Sequence, residues 1–588
     1  MFRSTASGRR LIHLTEAFGR DGFEVVRSIT YNGRLGITAQ SRTAFNYDTG
    51  KPKIAYYVEG TPYEIGYLMG NMAEEEISRM MEYTDKVVFS FIGSKVLEKM
   101  KLIQSALIKI IYELSKKMWK QLPEVITLEI QGIYEGCKSR NPKTRVDLER
   151  LIVLNTGIDI ICSMIYSGNF FKRIDAGIEP EDFDIPMMCN AFTVSGKSAG
   201  NGCFFGRDFT FPSAGVFQDT AALIIYDPKA PKQAQGSDAA KASASVAAEN
   251  ETEINKTTAK ALSGREAIPF LNIAAPGMVG SIAAMNLKGV AFGVNMSPGA
   301  NCDPAEFGVN SLLMTRLCAQ HSKSAEDAAE LMTDLPKGVS WLYIIADGTG
   351  RSCIAEAGAS WPEPDYTQYA DEDFRPLLPD LEFIRNHAVV PYQNGVMFRW
   401  NDYIYPLDYL AYNLQLWHHY NQKKKVQNVI YTGAFEQAGY INKTGDSNCP
   451  STFYFAPQRE SSDEILVASN HYIIPEMRYF AMHRWTHRII AKRVNDIQWR
   501  YDELNRQIYD TLAEKGSIGL EESKKLISFL APYGKYNGYY MNNPRSSDSK
   551  EIRIEGCASA FDLKNRVAES HYGYYCDQWV RMNLPAYF

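Results

Sequence analysis

The sequence has no closely spaced cysteine pair, no long apolar run and little net charge. Its ten cysteines include no CxxC or CxxH pair, which argues against a disulfide scaffold or a structural zinc site. No apolar run of about 18 residues occurs, and the amino terminus lacks the apolar stretch of a signal peptide. The 63 basic and 68 acidic residues nearly balance, which argues against nucleic acid or an anionic membrane as the main partner. We therefore expect a cytoplasmic protein with no integral membrane segment.

The composition is that of a globular protein, and the first block of sequence, residues 1–188, is mainly helical in pattern. Apolar residues make up 45% and charged residues 22% of the 588 positions, so the chain can bury a large hydrophobic core. Two short β-like runs, 23–29 and 54–59, come first. Thr61 then offers a helix cap, and helical periodicity follows over 95–121, 123–136 and 144–166.

The character of the sequence changes at about residue 189, where short β-rich runs begin. The runs CNAFTVSG and GCFFGRDFTF, joined by the turn-prone stretch 197–202, predict a hairpin. Further strands are expected at 221–226, 270–274, 281–285 and 290–295, a helix at 324–335, and a second hairpin at 341–356. Residues 229–266 contain mostly Ala, Ser, Lys and Glu, which predicts a mobile surface insertion. Strands and helices in this order indicate an α+β fold.

Cys189 stands at the start of the β-rich half, where it could carry chemistry. If the Met188–Cys189 bond were cut by self-cleavage, Cys189 would gain a free α-amine with a pKa of about 8. That amine would serve as a general base for the thiol of the same residue. The alternative is that Cys189 is a small buried hydrophobic residue, as most free cysteines are.

The sequence around Cys189 resembles that of a known group of enzymes. The run CNAFTVSGKSAGNGCFFGRDFTF is similar to the opening of the catalytic chain in amino-terminal-nucleophile (Ntn) hydrolases of the choloylglycine hydrolase and acyl-coenzyme A:6-aminopenicillanic acid acyltransferase kind. Three later blocks are similar in the same order: 277–299, SAEDAAELM with the hairpin ending in IAEAG, and VASNHYIIPEMR at 467–478. The glycines Gly60, Gly66 and Gly70 resemble the pro-segment of the acyltransferase-like branch. The resemblance implies a four-layer αββα core, matured by autoproteolysis, with a helical pro-segment over 1–188 and a catalytic chain over 189–588.

The resemblance also implies roles for individual residues. It makes Cys189 the nucleophile and places Arg207 beside it, where a cation favours the thiolate. Asn470 matches the oxyanion asparagine of the family, and Asn295 matches a second asparagine that lines the site. Arg478 is a candidate partner for a substrate carboxylate. The alternatives are a surface or salt-bridging role for Arg207 and simple turn formation for the two asparagines.

Asp208 and Thr210 are where the sequence departs from the family pattern. The family has Asn directly after the Arg and a catalytic-site Asp two residues further on, and here these positions hold Asp208 and Thr210. Either Asp208 takes over the amine-orienting carboxylate role through a shifted backbone, or Thr210 bonds the α-amine through its hydroxyl. In a regular strand these two residues share one face and Arg207 the other, so a bulge would be needed to bring all three together.

The function expected from these residues is an autoproteolytically processed cysteine amidohydrolase or acyltransferase acting on a small amide or acylated amino compound. No metal and no cofactor is expected, because neither a HExxH motif nor a convincing nucleotide-binding loop occurs. The two processed fragments are expected to stay associated, and a homo-oligomer is left open. Two alternatives remain: an Ntn-fold binding protein without catalysis, and a phospholipase B-like lipid hydrolase.

Overall fold

The computed structural model describes most of the chain. The described residues are 6–46, 49–90, 92, 94–101, 104–173, 177–183, 189–210, 215–231, 252–302, 308–309, 311–360, 393–403, 462–474, 477, 480–481, 485–486, 489, 494–529, 555–574 and 578–588. Met188 and Arg478 lie outside these residues, so the roles expected of them stay predictions.

Sixteen strands within the described residues form two sheets. The strands are β1 (Phe23–Tyr31), β2 (Arg34–Phe45), β3 (Pro52–Gly60), β4 (Asn190–Ser195), β5 (Cys203–Thr210), β6 (Ala222–Pro228), β7 (Phe270–Ala274), β8 (Ala283–Asn286), β9 (Ala291–Met296), β10 (Trp341–Ala346), β11 (Ser352–Ala357), β12 (Val396–Trp400), β13 (Ile465–Ala468), β14 (Glu555–Asp562), β15 (Val567–Tyr574) and β16 (Val580–Asn583). The larger sheet has the order β1-β2-β3-β6-β7-β8-β9-β10-β11-β12, and the smaller has the order β13-β4-β5-β14-β15-β16. All neighbours run antiparallel except β3 and β6, which are parallel.

Helices account for most of the remaining regular structure. They are α1 (Ala6–Arg20), α2 (Pro62–Met72), α3 (Glu74–Ser90), α4 (Ser94–Lys99), α5 (Gln104–Trp119), α6 (Glu124–Arg140), α7 (Leu148–Ser167), α8 (Asn169–Arg173), α9 (Val216–Thr220), α10 (Glu253–Leu262), α11 (Ser311–His321), α12 (Ala325–Asp334), α13 (Val494–Lys515) and α14 (Leu520–Phe529). None of the helices in the described ranges is both long and apolar enough to cross a bilayer. The mixture of helix and sheet confirms the α+β class, whereas the four-layer arrangement stays a prediction.

Local sequence signals account for several of these elements. Thr61 caps α2 as predicted: its side chain accepts from the backbone N–H of Glu64, and the Glu64 carboxylate accepts from the backbone N–H of Thr61. The predicted hairpin is also present, because β4 and β5 pair in continuous register around a short 3₁₀ turn. Gly196 and Gly200 flank that turn with φ of 60° and 57°, a left-handed conformation that favours glycine.

Gly66 and Gly70, two of the glycines that resemble the pro-segment pattern, allow α2 and α6 to pack backbone against backbone. A Cβ on Gly66 would lie 2.0 Å from the carbonyl oxygen of Glu129, and one on Gly70 would lie 2.1 Å from that of Ile133. From the other helix, a Cβ on Gly132 would lie 2.2 Å from the carbonyl oxygen of Tyr63. No side chain fits at these positions, so the glycine spacing fixes how closely the two helices approach.

The block 1–188 is joined to the rest of the protein through the larger sheet. Its strands β1–β3 form one end of that sheet, and β3 pairs with β6 from Ile54↔Ala222 to Gly60↔Pro228. Buried apolar residues of both blocks belong to a single hydrophobic core. Whether the boundary at 188 separates a pro-segment from a catalytic chain stays a prediction.

The structure differs from the expected mobile insertion over 229–266 in its last part. Residues 253–262 form α10, capped by Thr252, and Asn255 donates to the backbone carbonyl of Lys120 at 2.8 Å. Thr258 of this helix is buried. Ala and Lys favour helix as well as disorder, so composition alone does not separate the two. Residues 232–251 of the insertion lie outside the described residues.

Candidate active site

Cys189 directly precedes β4 and is fully buried. Its main-chain nitrogen donates a hydrogen bond to Asn470 Oδ1 at 3.0 Å. The sheet explains this contact: β13 pairs with β4, with Ala468 opposite Ala191, so the residues just beyond each strand end lie side by side. Two residues 281 positions apart are thus brought together by one strand pair.

Asn470 is held in one orientation by three hydrogen bonds. Its Oδ1 accepts from Cys189 and from Arg500 Nη2 at 3.1 Å, and its Nδ2 donates to the Met296 carbonyl at 2.7 Å. Because two donors meet the oxygen and a carbonyl meets the amino group, the amide cannot be reversed without losing these bonds. The oxygen of Asn470, rather than its amino group, therefore contacts the main chain of Cys189.

Arg500 is a site residue that the sequence reasoning missed. It lies on α13, is almost fully buried, and donates through Nη1 to the Cys189 carbonyl at 2.8 Å and to Asn190 Oδ1 at 2.7 Å. With its bond to Asn470, the guanidinium meets three acceptors around the nucleophile candidate. The signal available in the sequence is helical spacing: Arg500 falls within a stripe of residues that are all buried, Ile497, Tyr501, Leu504 and Ile508.

Asp208 on β5 lies opposite Asn190 on β4 and accepts three hydrogen bonds from it. Its Oδ1 accepts from the Asn190 backbone N–H at 2.6 Å and from Asn190 Nδ2 at 3.0 Å, and its Oδ2 accepts from Nδ2 at 3.2 Å. Burial raises the pKa of Asp208 to about 7, although the nearby positive charge of Arg500 opposes this rise. The carboxylate therefore fixes the residue that follows Cys189.

β5 is regular, so the bulge considered for Arg207, Asp208 and Thr210 is absent. Its register with β4 and with β14 shows no shift from residue 204 to residue 208. Neighbouring side chains therefore point to opposite faces, with Asp208 on the face of Asn190 and Arg207 on the other. Thr210 is the last residue of β5, and its side chain lies outside the described part of the structure.

Arg207 connects the smaller sheet to the larger one. Its Nη2 donates to the Val294 carbonyl at 2.6 Å and to Asn295 Oδ1 at 3.1 Å, and its Nη1 donates to the Ile282 carbonyl. Gly293 makes room for it, because a Cβ there would lie 2.7 Å from Arg207 Cδ. The arginine is fully buried, so the surface ion pair considered as an alternative does not apply.

Asn295 links Arg207 to the segment that carries Asn470. Its Oδ1 accepts from Arg207, and its Nδ2 donates to the Ser469 carbonyl at 3.0 Å. The structure thus connects Arg207, Asn295, Asn470 and Cys189 in one buried network. Asp208 joins the network from the opposite face of β5, through Asn190 and Arg500.

Two further features shape the site. Glu356 accepts from the backbone N–H groups of Ile473 and Ile474 at 3.0 to 3.1 Å, which fixes the segment that follows Asn470. Burial raises the pKa of the Cys557 thiol to about 12, so this neighbouring cysteine on β14 is a neutral, unreactive thiol at physiological pH. Within the described ranges, no group of three or more His, Cys, Asp or Glu side chains is arranged to hold a metal ion.

Comparisons with known proteins give a family match over part of the chain, a protein of similar sequence and some similar solved structures. Residues 252–370 match the family described as acyl-coenzyme A:6-aminopenicillanic acid acyl-transferase. A protein of Archaeoglobus fulgidus, described only as uncharacterized, is 26% identical over 564 residues, which is 96% of this chain and 69% of the relative. Two solved structures of variants of the conjugated bile acid hydrolase from Clostridium perfringens align at 10% and 11% identity, with TM-scores of 0.30 and 0.28, over 67% and 68% of this chain and 93% of theirs. The family match confirms the resemblance of this chain to the acyl-coenzyme A:6-aminopenicillanic acid acyltransferases, which the motifs around Cys189 indicated.

Proposed function

We propose that this chain is an Ntn cysteine amidohydrolase or acyltransferase, which cuts its own Met188–Cys189 bond and then acts on amide bonds through a Cys189 acyl-enzyme. One observation carries the proposal: the main chain of Cys189 is held at both ends. Asn470 Oδ1 meets its nitrogen at 3.0 Å and Arg500 meets its carbonyl oxygen at 2.8 Å. Any buried main chain needs partners, but here they are the side chains of residues 281 and 311 positions away, which can still hold the Cys189 nitrogen and carbonyl after the preceding peptide bond is cut.

Asn470 takes the amine-orienting role in this mechanism. After cleavage the Cys189 nitrogen becomes an α-amine, and one of its hydrogens points to Asn470 Oδ1. This bond directs the nitrogen lone pair elsewhere, where it can accept the thiol proton. An amine pKa of about 8 leaves a useful fraction of free base at neutral pH. The second proton of the Asn470 amino group, beside the one used by Met296, serves the oxyanion.

Arg207 supplies positive charge on the face of the sheet where alternation places the Cys189 side chain. Asn190, one residue later, faces Asp208, so the preceding side chain faces the side of Arg207. Cys557 of the adjacent strand β14 lies opposite Phe209 and therefore on the face of Arg207 as well. A nearby guanidinium favours the thiolate over the thiol.

The reaction follows from these positions. The Cys189 sulfur attacks the amide carbonyl carbon while the α-amine takes the thiol proton. The carbon–nitrogen bond then breaks, and the ammonium returns the proton to the leaving amine, which leaves a thioester on Cys189. Water completes hydrolysis by attacking the thioester, and an acceptor amine completes acyl transfer. The substrate class that fits is a linear amide or an acylated amino compound.

The finer features of the fold are part of the proposal. The contacts that support a four-layer αββα core are those of β5 with β9, of α14 with β5 and β14, and of α11 with β7, β8 and β9. After cleavage the fragments of 188 and 400 residues would stay associated. Separating them would break the β3–β6 pairing and divide a common core, which costs far more than one cut peptide bond releases.

The test is intact-mass spectrometry of freshly purified full chain, with labelling by 2-cyanobenzothiazole, which condenses with an amino-terminal cysteine. We expect two masses, one of them for a fragment that begins at Cys189 and takes up one label. The Cys189→Ala variant should give one full-length mass and no label. The Cys557→Ala variant, which removes a neighbouring buried thiol, should be processed like the unchanged chain.

Three outcomes would contradict the proposal. A fully processed Cys189→Ala chain would show that Cys189 does not cut its own bond. A single unlabelled full-length mass in the unchanged chain, with no turnover of acylated amino compounds, would favour the binding protein without catalysis. Turnover of a lysophospholipid, but of no amide, would favour the lipid hydrolase.

A further inference from the structure

Two charged side chains of the larger sheet, Glu356 on β11 and Arg399 on β12, hold the segment 467–474, which carries Asn470. Glu356 accepts from the backbone N–H groups at positions 473 and 474 at 3.0 to 3.1 Å. Arg399 donates through Nη2 to the Val467 carbonyl at 2.9 Å. Asn470 therefore lies between two points at which the main chain is fixed.

Glu356 and Arg399 also form an ion pair that is shielded from water. Arg399 Nε lies 3.6 Å from Glu356 Oε1, and the two side chains are only 3% and 0% exposed. Burying two charges costs free energy that their attraction offsets only in part, so such a pair is weak evidence for a role in stability alone. What charged groups provide is strong, directed hydrogen bonding, and here both residues direct it at the main chain around Asn470.

Strand register places this ion pair on the face of the larger sheet that meets the candidate active site. Leu342 of β10 lies opposite Asn295 on β9 and opposite Glu356 on β11, so the three side chains share one face. Arg399 lies opposite the residue two positions before Glu356, and its side chain points to the same face. Asn295 accepts from Arg207 of the smaller sheet, which identifies this face as that of the Cys189 site.

We propose that the Glu356–Arg399 pair positions Asn470 for the chemistry at Cys189. The pair fixes the main chain on both sides of Asn470, so that its Oδ1 meets the Cys189 nitrogen at 3.0 Å. This contact orients Cys189 before the preceding bond is cut and orients its α-amine afterwards. Both charged residues act through Asn470 and are positioning residues. The effect on the reaction rests on the proposed function of Cys189, whereas the effect on the position of Asn470 does not.

Glu356→Gln is the variant that removes the ion pair with little change in size. The N–H of Ile473 contacts both carboxylate oxygens of Glu356, so in either orientation the new amide presents its amino group to this donor. Arg399→Lys is a milder second variant. One ammonium nitrogen can take the place of Nε, which pairs with Glu356, or of Nη2, which serves Val467, but not of both.

Glu129→Gln is the matched control, because it makes the same change in another buried ion pair. Glu129 lies 2.9 Å from Arg316, and both side chains are 1% exposed. The guanidinium of Arg316 lies over the ring of Phe270 on β7. Strand register from β7 through β8 to β9 places Phe270 on the face opposite to that of Asn295. The control therefore destabilises the fold without reaching the Cys189 site.

The test is hydrogen exchange, measured by mass spectrometry with single-residue fragmentation, in the full chain carrying Cys189→Ala so that no bond is cut. The backbone N–H at position 189 reports on Asn470, because it donates to Asn470 Oδ1. We expect Glu356→Gln to speed its exchange by about tenfold or more, and Arg399→Lys to change it in the same direction. Glu129→Gln should leave this rate unchanged within about twofold.

Asn470→Ala provides the reference for a purely local effect. By removing the acceptor it should by itself speed exchange at position 189. If the ion pair acts through Asn470, adding Glu356→Gln to this variant should change the rate by no more than about twofold. In the chain that retains Cys189, Glu356→Gln should slow the appearance of the fragment that begins there by about tenfold or more, and Glu129→Gln should not.

Several results would overturn the proposal. Unchanged exchange at position 189 in Glu356→Gln, an equal change in Glu129→Gln, or an additive effect in the Asn470→Ala chain would show that the pair does not position Asn470. Faster exchange with a normal rate of processing would refute the link to the reaction. Absence of processing in the unchanged chain would count against the Cys189 proposal, while the exchange rates would still decide the role of the ion pair.

Discussion

Replacing Arg500 with lysine tests whether its three hydrogen bonds hold the candidate active site together. The substitution keeps the positive charge but exchanges a planar guanidinium for a single ammonium group. In the structure the guanidinium reaches Cys189 O at 2.8 Å, Asn190 Oδ1 at 2.7 Å and Asn470 Oδ1 at 3.1 Å. One ammonium nitrogen can take the place of Nη1, which serves two of these acceptors, or of Nη2, which serves one, but not of both, so at least one buried acceptor loses its charged donor.

The magnitude follows from the contact that cannot be replaced. Loss of one hydrogen bond from a charged donor to a buried acceptor costs about 1–3 kcal/mol, so Arg500→Lys should lower the free energy of unfolding by about that amount. Processing at Met188–Cys189 should slow as well, because the residue holding both the Cys189 carbonyl and Asn470 is displaced. We would measure the denaturation midpoint in urea and the rate of fragment appearance by mass spectrometry.

Arg506→Lys is the matched control on the same helix. Arg506 is exposed and pairs with Asp510 one turn away, an interaction worth about 0.5 kcal/mol or less. If Arg500→Lys shifted the urea midpoint no more than Arg506→Lys and was processed at the normal rate, the reasoning about Arg500 would be refuted.

Two further predictions concern Asp208 on β5 and Gly293 on β9. Burial raises the pKa of Asp208 to about 7, so between about pH 4 and pH 7 the folded state binds a proton that the unfolded state has lost, and this group's contribution to stability falls as pH rises. About two pH units of that decline fall between pH 5 and pH 8, so Asp208→Asn should reduce the difference in the free energy of unfolding between these two pH values by about 2–3 kcal/mol; an unchanged difference between the urea midpoints would count against the assignment. Gly293→Ala should cost about 1–3 kcal/mol, because its Cβ would meet Arg207 Cδ at 2.7 Å, whereas Gly19→Ala, with no atom within 4 Å of the added Cβ, should be neutral or stabilising. Equal thermal midpoints for these two glycine variants would show that Arg207 can move without cost.

Much of the local structure could be predicted because its causes lie within a few residues. The cap at Thr61, the β4–β5 hairpin with its glycine-flanked turn, and the start of α12 at Ser324 are all present. Each depends on side chains that satisfy backbone groups or on φ values that favour glycine. The strands β14–β16 were not predicted, although they form half of the smaller sheet; β15 pairs with its chain neighbours β14 and β16, whereas β14 joins the sheet through β5, which is distant in the sequence.

The candidate site could likewise be predicted only in part. The motifs singled out Cys189, Arg207, Asn295 and Asn470, and the fold connects them in one network. The motifs did not decide which atom of Asn470 meets Cys189, because the hydrogen bonds of an amide depend on all its neighbours. They also left open a bulge in β5, which pairing with β14 on its second side excludes.

The sequence by itself determined the position of the nucleophile candidate and the periodicity of the elements around it. Those features depend on spacing, which a chain carries before it folds. Only the tertiary structure decided that Arg500, 311 residues from Cys189, supports its carbonyl, and that Asp208 faces Asn190 instead of the thiol. The physical reason is that burial and packing select which polar groups meet, and an isolated arginine in a helical pattern gives no indication of its distant partner.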